Sequence, residues 1–432
     1  MTAAQQILDK IRISPTAFHV AAALREDLLG HGFTELRESE RWNLLPGGKY
    51  FVTRNDSAIL SFVLPKEKPS AFRIAASHSD SPAFRIKENP EITSGGAYVQ
   101  LNTEQYGGGI LYSWLDRPLH VAGRLLVRTA DGSVRPVLVD QSEETVVIPS
   151  LAIHFNREVN SGYAFNLQKD LLPLSSGISP EGEPAEGSLM RRIAKRAGVG
   201  AEAVLGSDLF VTPSEAGLIW GPEGEFLSSP HLDDQECVFG SFAGFLKAAD
   251  EGAAEQAVLV HAVFDNEEVG SGTRQGAHST LLRDVIGRIA LKTGMDEEER
   301  QMAVAKSFLL SLDNAQGLHP NFPEKSDPVN RPVLNGGIVL KFNGNQKYAT
   351  DGVAAAHVRE LCERTGVPCQ DFTNRSDIRG GSTLGSISGT VVPISTADIG
   401  LPQLAMHSAC ETAGSRDAEH LVTLTAAFYR QG

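Results

Sequence analysis

From residue 233 to its end the sequence alternates short apolar runs with longer amphipathic ones, and this alternation sharply narrows the folds open to it. "DDQECVFGSFAGFLKAAD" reads as helix and "QAVLVHAVF" as a continuous buried strand. "HSTLLRDVIGRIALKTG" follows as helix, "KSFLLSLD" as strand and "GVAAAHVRELCERTG" as helix. "TVVPISTADIG" then gives strand and "DAEHLVTLTAAFYRQ" a closing helix. Unbroken apolar strands between helices imply a sheet covered on both faces, a three-layer α/β domain. The first part of the chain joins that domain. "SPTAFHVAAALREDLLGHGF" gives a helix through Phe18, Ala21, Ala22, Leu24, Leu28 and Leu29. "KYFVTRNDSAILSFVLP" gives a hairpin around "RNDS", and "SAFRIAASHSDSP" a strand that ends at His78.

Between about Ile92 and Phe226 the texture changes. "HVAGRLLVRTADGSVRPVLVD" and "ETVVIPSLAIHF" are β-rich, with a hairpin turn at "TADGSV". "SSGISPEGEPAEGSL" reads as a polar loop, and "RRIAKRAGVGAEAVLGSDLFVTP" as helix then strand. The expected organisation is a catalytic domain in two parts, 1–90 and 229–432, interrupted by an inserted β-rich domain over 91–228. A chain of 432 residues is long for a single core.

Charge excludes some partners. A formal net charge of -14 without a Lys/Arg-rich tract speaks against nucleic acid. No apolar run reaches about 18 residues, so no membrane span is expected. The N-terminus does not read as a signal peptide. The four cysteines, Cys237, Cys362, Cys369 and Cys410, form no CxxC pair. They read as reduced thiols of a cytoplasmic protein.

The chemistry-bearing residues stand at element ends: His78 and Asp80 in "ASHSDSP", Asp233 in "PHLDDQ", Glu267 and Glu268 in "FDNEEVG", Asp313 in "LLSLDNAQGLHPN" and His407 in "PQLAMHSA". Loops beyond strand ends are where open α/β sheets build sites. Imidazole with carboxylate suits zinc, manganese or cobalt better than calcium or magnesium. The set exceeds what one tetrahedral ion needs and fits two ions about 3.5–4 Å apart. Asp233 is the candidate bridge, with His78, Asp313, Glu268 and His407 as the other ligands and their division between the ions open. Adjacent glutamates let one bind an ion while its neighbour takes a proton from water. Asp80 is placed to orient the His78 imidazole. Each loop alone has an ordinary reading as a turn, cap or surface run, as "EEER" has; their coincidence carries the metal reading. "YGGGI" and "GGSTLGSISG" lack the spacing of phosphate loops and read as tight turns or close backbone packing near the site.

The stretches "SHSDSP", "PSLAIHFNREVN", "HLDD", "FDNEEVGS", "SLDNAQGLHPNF", "LKFNGNQKYATD" and "LPQLAMHS" together resemble the M18 family of metallo-aminopeptidases, and within it the aspartyl aminopeptidases. The resemblance implies a zinc-peptidase-like α/β domain interrupted by a β-rich one. It implies removal of the N-terminal residue of peptides with two divalent ions per subunit, Zn2+ first and Co2+ or Mn2+ as alternatives. His78, Asp233, Glu268, Asp313 and His407 match its metal ligands, Glu267 its general base and Asp80 the acid behind His78. It also implies a cytoplasmic homododecamer in which His154 reaches a neighbouring subunit's site; from the residues alone, His154 is the polar end of a strand. His319 and Lys341 match positions near the substrate side-chain pocket, where cations suit an N-terminal Asp or Glu. Two departures stand out. Asp234 occupies a place where asparagine is common, and "ETAGSRDAEH" after His407 is less typical. The rival readings are a dinuclear hydrolase of another amide, such as an N-acyl amino acid deacylase or a carboxypeptidase, and a self-assembling shell of weak activity.

Overall fold

The computed structural model describes residues 1–177, 187–253 and 255–431. Most of "SSGISPEGEPAEGSL" lies outside them. Two compact units are present: residues 1–80, 217–406 and 411–432 form the first, and 81–216 with 407–410 the second.

The first unit is built on a nine-stranded sheet among the described residues. Its order is Thr34–Leu36, Lys49–Arg54, Ala58–Val63, Ala257–Phe264, Ala71–His78, Phe308–Leu312, Ser395–Gly400, Ile338–Phe342 and Cys369–Thr373. The "RNDS" hairpin forms as read. Lys49–Arg54 pairs antiparallel with Ala58–Val63, and Asn55 and Asp56 take positive φ of 59° and 54° in the turn between. Such a turn follows the right-handed twist of the strands it joins.

The strand Ala257–Phe264 is buried along its whole length because both faces are covered. Leu259 and Val263 pack with the helices Ala3–Arg12, Ala17–Gly30, Leu232–Asp250, Gly352–Thr365 and Asp417–Tyr429. Val258, Val260, Ala262 and Phe264 pack on the other face with the helix Leu281–Lys292. The two-residue period of a strand thus feeds two cores. Each fully buried Leu, Val or Phe contributes about 1.5–3 kcal/mol, which fixes the register of the strand. A smaller five-stranded sheet completes this unit, in the order Leu218–Trp220, Phe226–Ser229, Glu411–Gly414, Pro402–Leu404 and Ala315–Gln316.

Among the described residues the second unit is built on an antiparallel six-stranded sheet. Its order is Val134–Asp140, Leu119–Arg128, Val204–Pro213, Ala83–Ser94, Tyr98–Tyr106 and Leu174–Gly177. Leu119, Val121, Leu125, Leu209 and Val211 alternate into its core with Phe84 and Trp114, whose rings meet edge to face at 5.1 Å. The helix Ser188–Arg196 adds Leu189 and Ile193. Mixed α/β architecture with several sheets is therefore what the sequence pattern delivers. "PSLAIHF" differs from the reading: His154 lies in an exposed turn and not at a strand end.

Candidate metal centre

Three parallel strands set up the site. Ala71–His78 lies between Ala257–Phe264 and Phe308–Leu312, with His78 in register with Phe264. Their C-terminal ends therefore deliver His78, the turn at 265–268 and Asp313 to one edge. The helix Leu232–Asp250 brings Asp233 and Asp234 to the same edge from its first turn.

His78 is buried, and its Nδ1 lies 3.0 Å from the Asp80 carbonyl oxygen. That oxygen can only accept, so Nδ1 carries a proton and Nε2 is the nitrogen left to give a lone pair once an ion displaces its proton. Nε2 faces Asp233 Oδ1 at 3.6 Å and Asp313 Oδ1 at 4.0 Å. His78, Asp233, Asp234 and Asp313 each offer one ligand atom, all within 4.8 Å of one another. Asp233 also has a carboxylate oxygen within 4.8 Å of one on Glu268. It is the member shared between the two groupings. Asp234, whose role the sequence leaves open, is wholly buried and accepts from the His78 N–H at 3.1 Å.

So many desolvated carboxylates cannot all remain charged without a cation. Burial raises the Asp234 carboxyl well above the usual carboxylate range, and Asp313 is raised for the same reason. Burial alone would lower His78, but Asp234, Asp233, Asp80 and Glu267 outweigh it and raise the imidazole well above its usual value. Divalent metal binding displaces protons held in this way. One imidazole lone pair aimed among carboxylates fits zinc, manganese or cobalt.

The adjacent glutamates are held by their backbone. Asp80 Oδ1 accepts from the Glu267 N–H at 3.0 Å, and its Oδ2 from the Glu268 N–H at 3.1 Å. Asn266 enters the turn at a positive φ of 64°, and its Oδ1 accepts from Thr273 Oγ1 at 2.8 Å and Gln275 Nε2 at 2.7 Å. The backbone is fixed while both side chains stay partly exposed. Burial raises the Glu267 carboxyl to about 7; His78 opposes the rise, and Asp313, Asp80 and Asp233 add to it.

Lys341 is only 2% exposed, and its Nζ donates to the backbone carbonyls of Asp313 at 2.6 Å and Asn314 at 3.1 Å. It also stands 3.4 Å from Asp313 Oδ2. Burial alone would lower it, but Asp313, Tyr348 and Asp398 raise its pKa. This ammonium is committed to Asp313 and does not present an open donor. His319 is half-buried, with its Nδ1 accepting from the Asn321 N–H at 3.2 Å.

Sequence reasoning missed three supports. Asn314 donates to Leu232 O at 3.1 Å and Gln403 Oε1 at 3.0 Å, and accepts from Cys237 Sγ at 3.0 Å. Glu411 Oε2 accepts from the Asp233 N–H at 2.9 Å. Gly400 has no room for a side chain, since a Cβ there would fall 1.9 Å from the Asp313 carbonyl oxygen. In the second unit, His407 takes a positive φ of 68°, and its Nδ1 lies 3.2 Å from Gly108 O. The Ile110 N–H donates to His407 O at 2.9 Å, so "YGGGI" serves close backbone packing as read. His154 is exposed.

Residues 11–429 match the model of the aminopeptidase I zinc metalloprotease family, M18. The chain belongs to the M18 metallopeptidases. Over 430 residues it is 43% identical to a probable M18 family aminopeptidase 2 of Clostridium novyi, covering 99% of this chain and 98% of that one. A relative of the same description in Pseudomonas aeruginosa is 40% identical over 429 residues, 98% of this chain and 97% of its own. Among solved structures, Ape4 in its complex with Nbr1 superposes with a TM-score of 0.96 at 34% identity, covering 99% of this chain and 85% of that one. Yeast aminopeptidase 1 superposes at 0.87 with 30% identity, covering 99% and 96%. S. cerevisiae mApe1 has been solved as a dodecamer. This M18 chain is thus a metal-dependent aminopeptidase by family. Among its described residues no helix is long and apolar enough to cross a membrane.

Proposed function

We propose that this M18 enzyme uses two divalent ions, zinc first, to remove an N-terminal residue from peptides, with a preference for Asp and Glu of the aspartyl aminopeptidase kind. The observation that carries the reading is the Asp233 carboxylate, shared between the His78 and Asp313 grouping and Glu268. In this reading Asp233 would be the ligand common to both ions, and His78, Asp313, Glu268 and His407 would complete the set, with their division between the ions left open. When bound, the ions polarise the scissile carbonyl and acidify a water.

The chain's own residues do the rest. Glu267 takes the water's proton and returns it to the departing amine, a role that suits a carboxyl raised to about 7. Asp80 holds the amides of Glu267 and Glu268, so base and ligand keep a fixed spacing. Its backbone carbonyl keeps the His78 lone pair aimed inward. In the proposed homododecamer, His154 of a neighbouring subunit donates to the substrate carbonyl as charge develops. His319 is the half-buried donor for an acidic substrate side chain, while Lys341, held by Asp313, acts through that residue.

The test is a panel of peptides differing only in the first residue, assayed with zinc, manganese and cobalt in turn, each beside its N-acetylated form. Cleavage of free peptides only, Asp and Glu ahead of Leu, is the expected result. Equal cleavage of acetylated peptides would turn the reading toward a deacylase or carboxypeptidase. Leu ahead of Asp with every metal would end the acidic preference alone.

A further inference from the structure

A second cleft lies in the first unit, on groups the proposed reaction does not use. It encloses about 550 Å3 and is lined by Arg73, His357, Arg364, Ala427, Arg430 and Gln431. Three guanidiniums and an imidazole line it, and among the described residues no carboxylate does. In a chain of net charge -14 this is a local excess of arginine, although Arg364 and Arg430 each have a carboxylate partner, Glu360 and Glu251.

Three elements build it. His357 and Arg364 stand seven residues apart on the helix Gly352–Thr365, two turns along one face. Ala427, Arg430 and Gln431 come from the end of the closing helix and the residues just after it. Arg73 comes from the strand Ala71–His78, five residues before the ligand histidine. The His357 ring lies against Phe308 with centroids 4.4 Å apart, and its Nε2 is 2.9 Å from Gln431 Oε1, which fixes that wall.

Arg364 and Arg430 have an ordinary explanation: cations near helix C-termini are stabilising. Their ion pairs, Arg364 with Glu360 at 3.7 Å and Arg430 with Glu251 at 2.5 Å, are surface pairs of small worth. Arg73 is placed differently. It sits on a strand, and its Nη1 donates to Lys306 O at 3.3 Å and to Phe72 O at 3.5 Å. Guanidiniums contributed by three elements to one cleft suit an oxyanion such as phosphate.

We propose that this cleft binds the phosphoryl group of a small anionic ligand. Titration calorimetry of the zinc-loaded enzyme with inorganic phosphate and with pyrophosphate tests it. Pyrophosphate should bind more tightly than phosphate, and the double variant Arg364→Gln/Arg430→Gln should weaken it by about tenfold or more. Arg73→Gln should do the same; if that variant does not fold, the exposed double variant still decides. Phosphates also have affinity for metal ions, so the titration is repeated after chelation. Binding that survives metal removal and falls in the arginine variants supports the cleft. Binding that disappears with the metal, is unchanged in the variants, or is undetectable for both anions overturns it.

Discussion

Lys341 holds Asp313 from beneath: its ammonium donates to the Asp313 carbonyl oxygen at 2.6 Å and lies 3.4 Å from Oδ2 of the same residue. A cation so placed fixes where the proposed metal ligand Asp313 points. Lys341→Ala should therefore weaken zinc binding and lower kcat/KM alike for Asp and Leu substrates. The loss of a buried partner should cost about 3–5 kcal/mol of stability. His319→Ala should instead act selectively on acidic substrates. A selective loss of Asp cleavage in Lys341→Ala, with zinc affinity intact, would return Lys341 to the substrate pocket.

Glu267→Gln should keep both ions and lose about 10²–10⁴-fold in turnover, because an amide cannot take the proton. Metal counting beside single-turnover kinetics checks it. Loss of one ion would mean the two glutamates have exchanged roles.

The same residue gives a pH dependence. Burial disfavours the charged form and lifts Glu267 to about 7, whereas a general base must be unprotonated. Activity should fall as pH drops through the acid limb. Bound cations favour the carboxylate, so the limb should lie below 7 in the loaded enzyme and vanish from the residual rate of Glu267→Gln.

Asp80→Asn places an amide against two backbone N–H donors. Activity should fall about 10–100-fold with the fold retained, as is usual when a support behind a metal ligand is lost. Circular dichroism with kcat and metal content checks it. Unchanged kcat would show that the turn keeps its shape without Asp80.

His261 contributes to acid sensitivity. It is buried between Phe242 and Phe245, at 5.3 and 5.7 Å, with Nε2 2.9 Å from Ser241 Oγ. Burial lowers its pKa to about 3. The unfolded chain, near 6.5, takes up the proton first as pH falls. Stability is therefore fully present above about 6.5 and declines toward 3, at roughly 1 kcal/mol per pH unit from this group. In metal-free protein, the Tm difference between pH 7.5 and pH 5 should be smaller for His261→Gln than for wild type.

His78, Asp313 and the Glu267–Glu268 pair are legible in the sequence because each ends or follows an apolar run. The physics of a covered sheet delivers such ends to one edge. Asp234, Asn314 and Lys341 are not legible as supports, because a polar residue beside an apolar run looks the same facing water or facing a buried partner. Only the tertiary contacts separate Lys341 from an ordinary strand residue. The error at His154 has another cause. Leu151, Ile153 and Phe155 alternate as in a strand, yet they stand 60%, 47% and 82% exposed along a turn-containing segment. Alternation signals a strand only where one face is covered.

Asp80 grips Glu267 and Glu268 by accepting from their main-chain amides. Every amino acid except proline has that amide, so the grip is blind to which side chain follows. Position 267 is in effect a socket. A histidine or cysteine set there would inherit the placement that Glu267 now has, and new reactivity could be introduced without redesigning the loop that presents it.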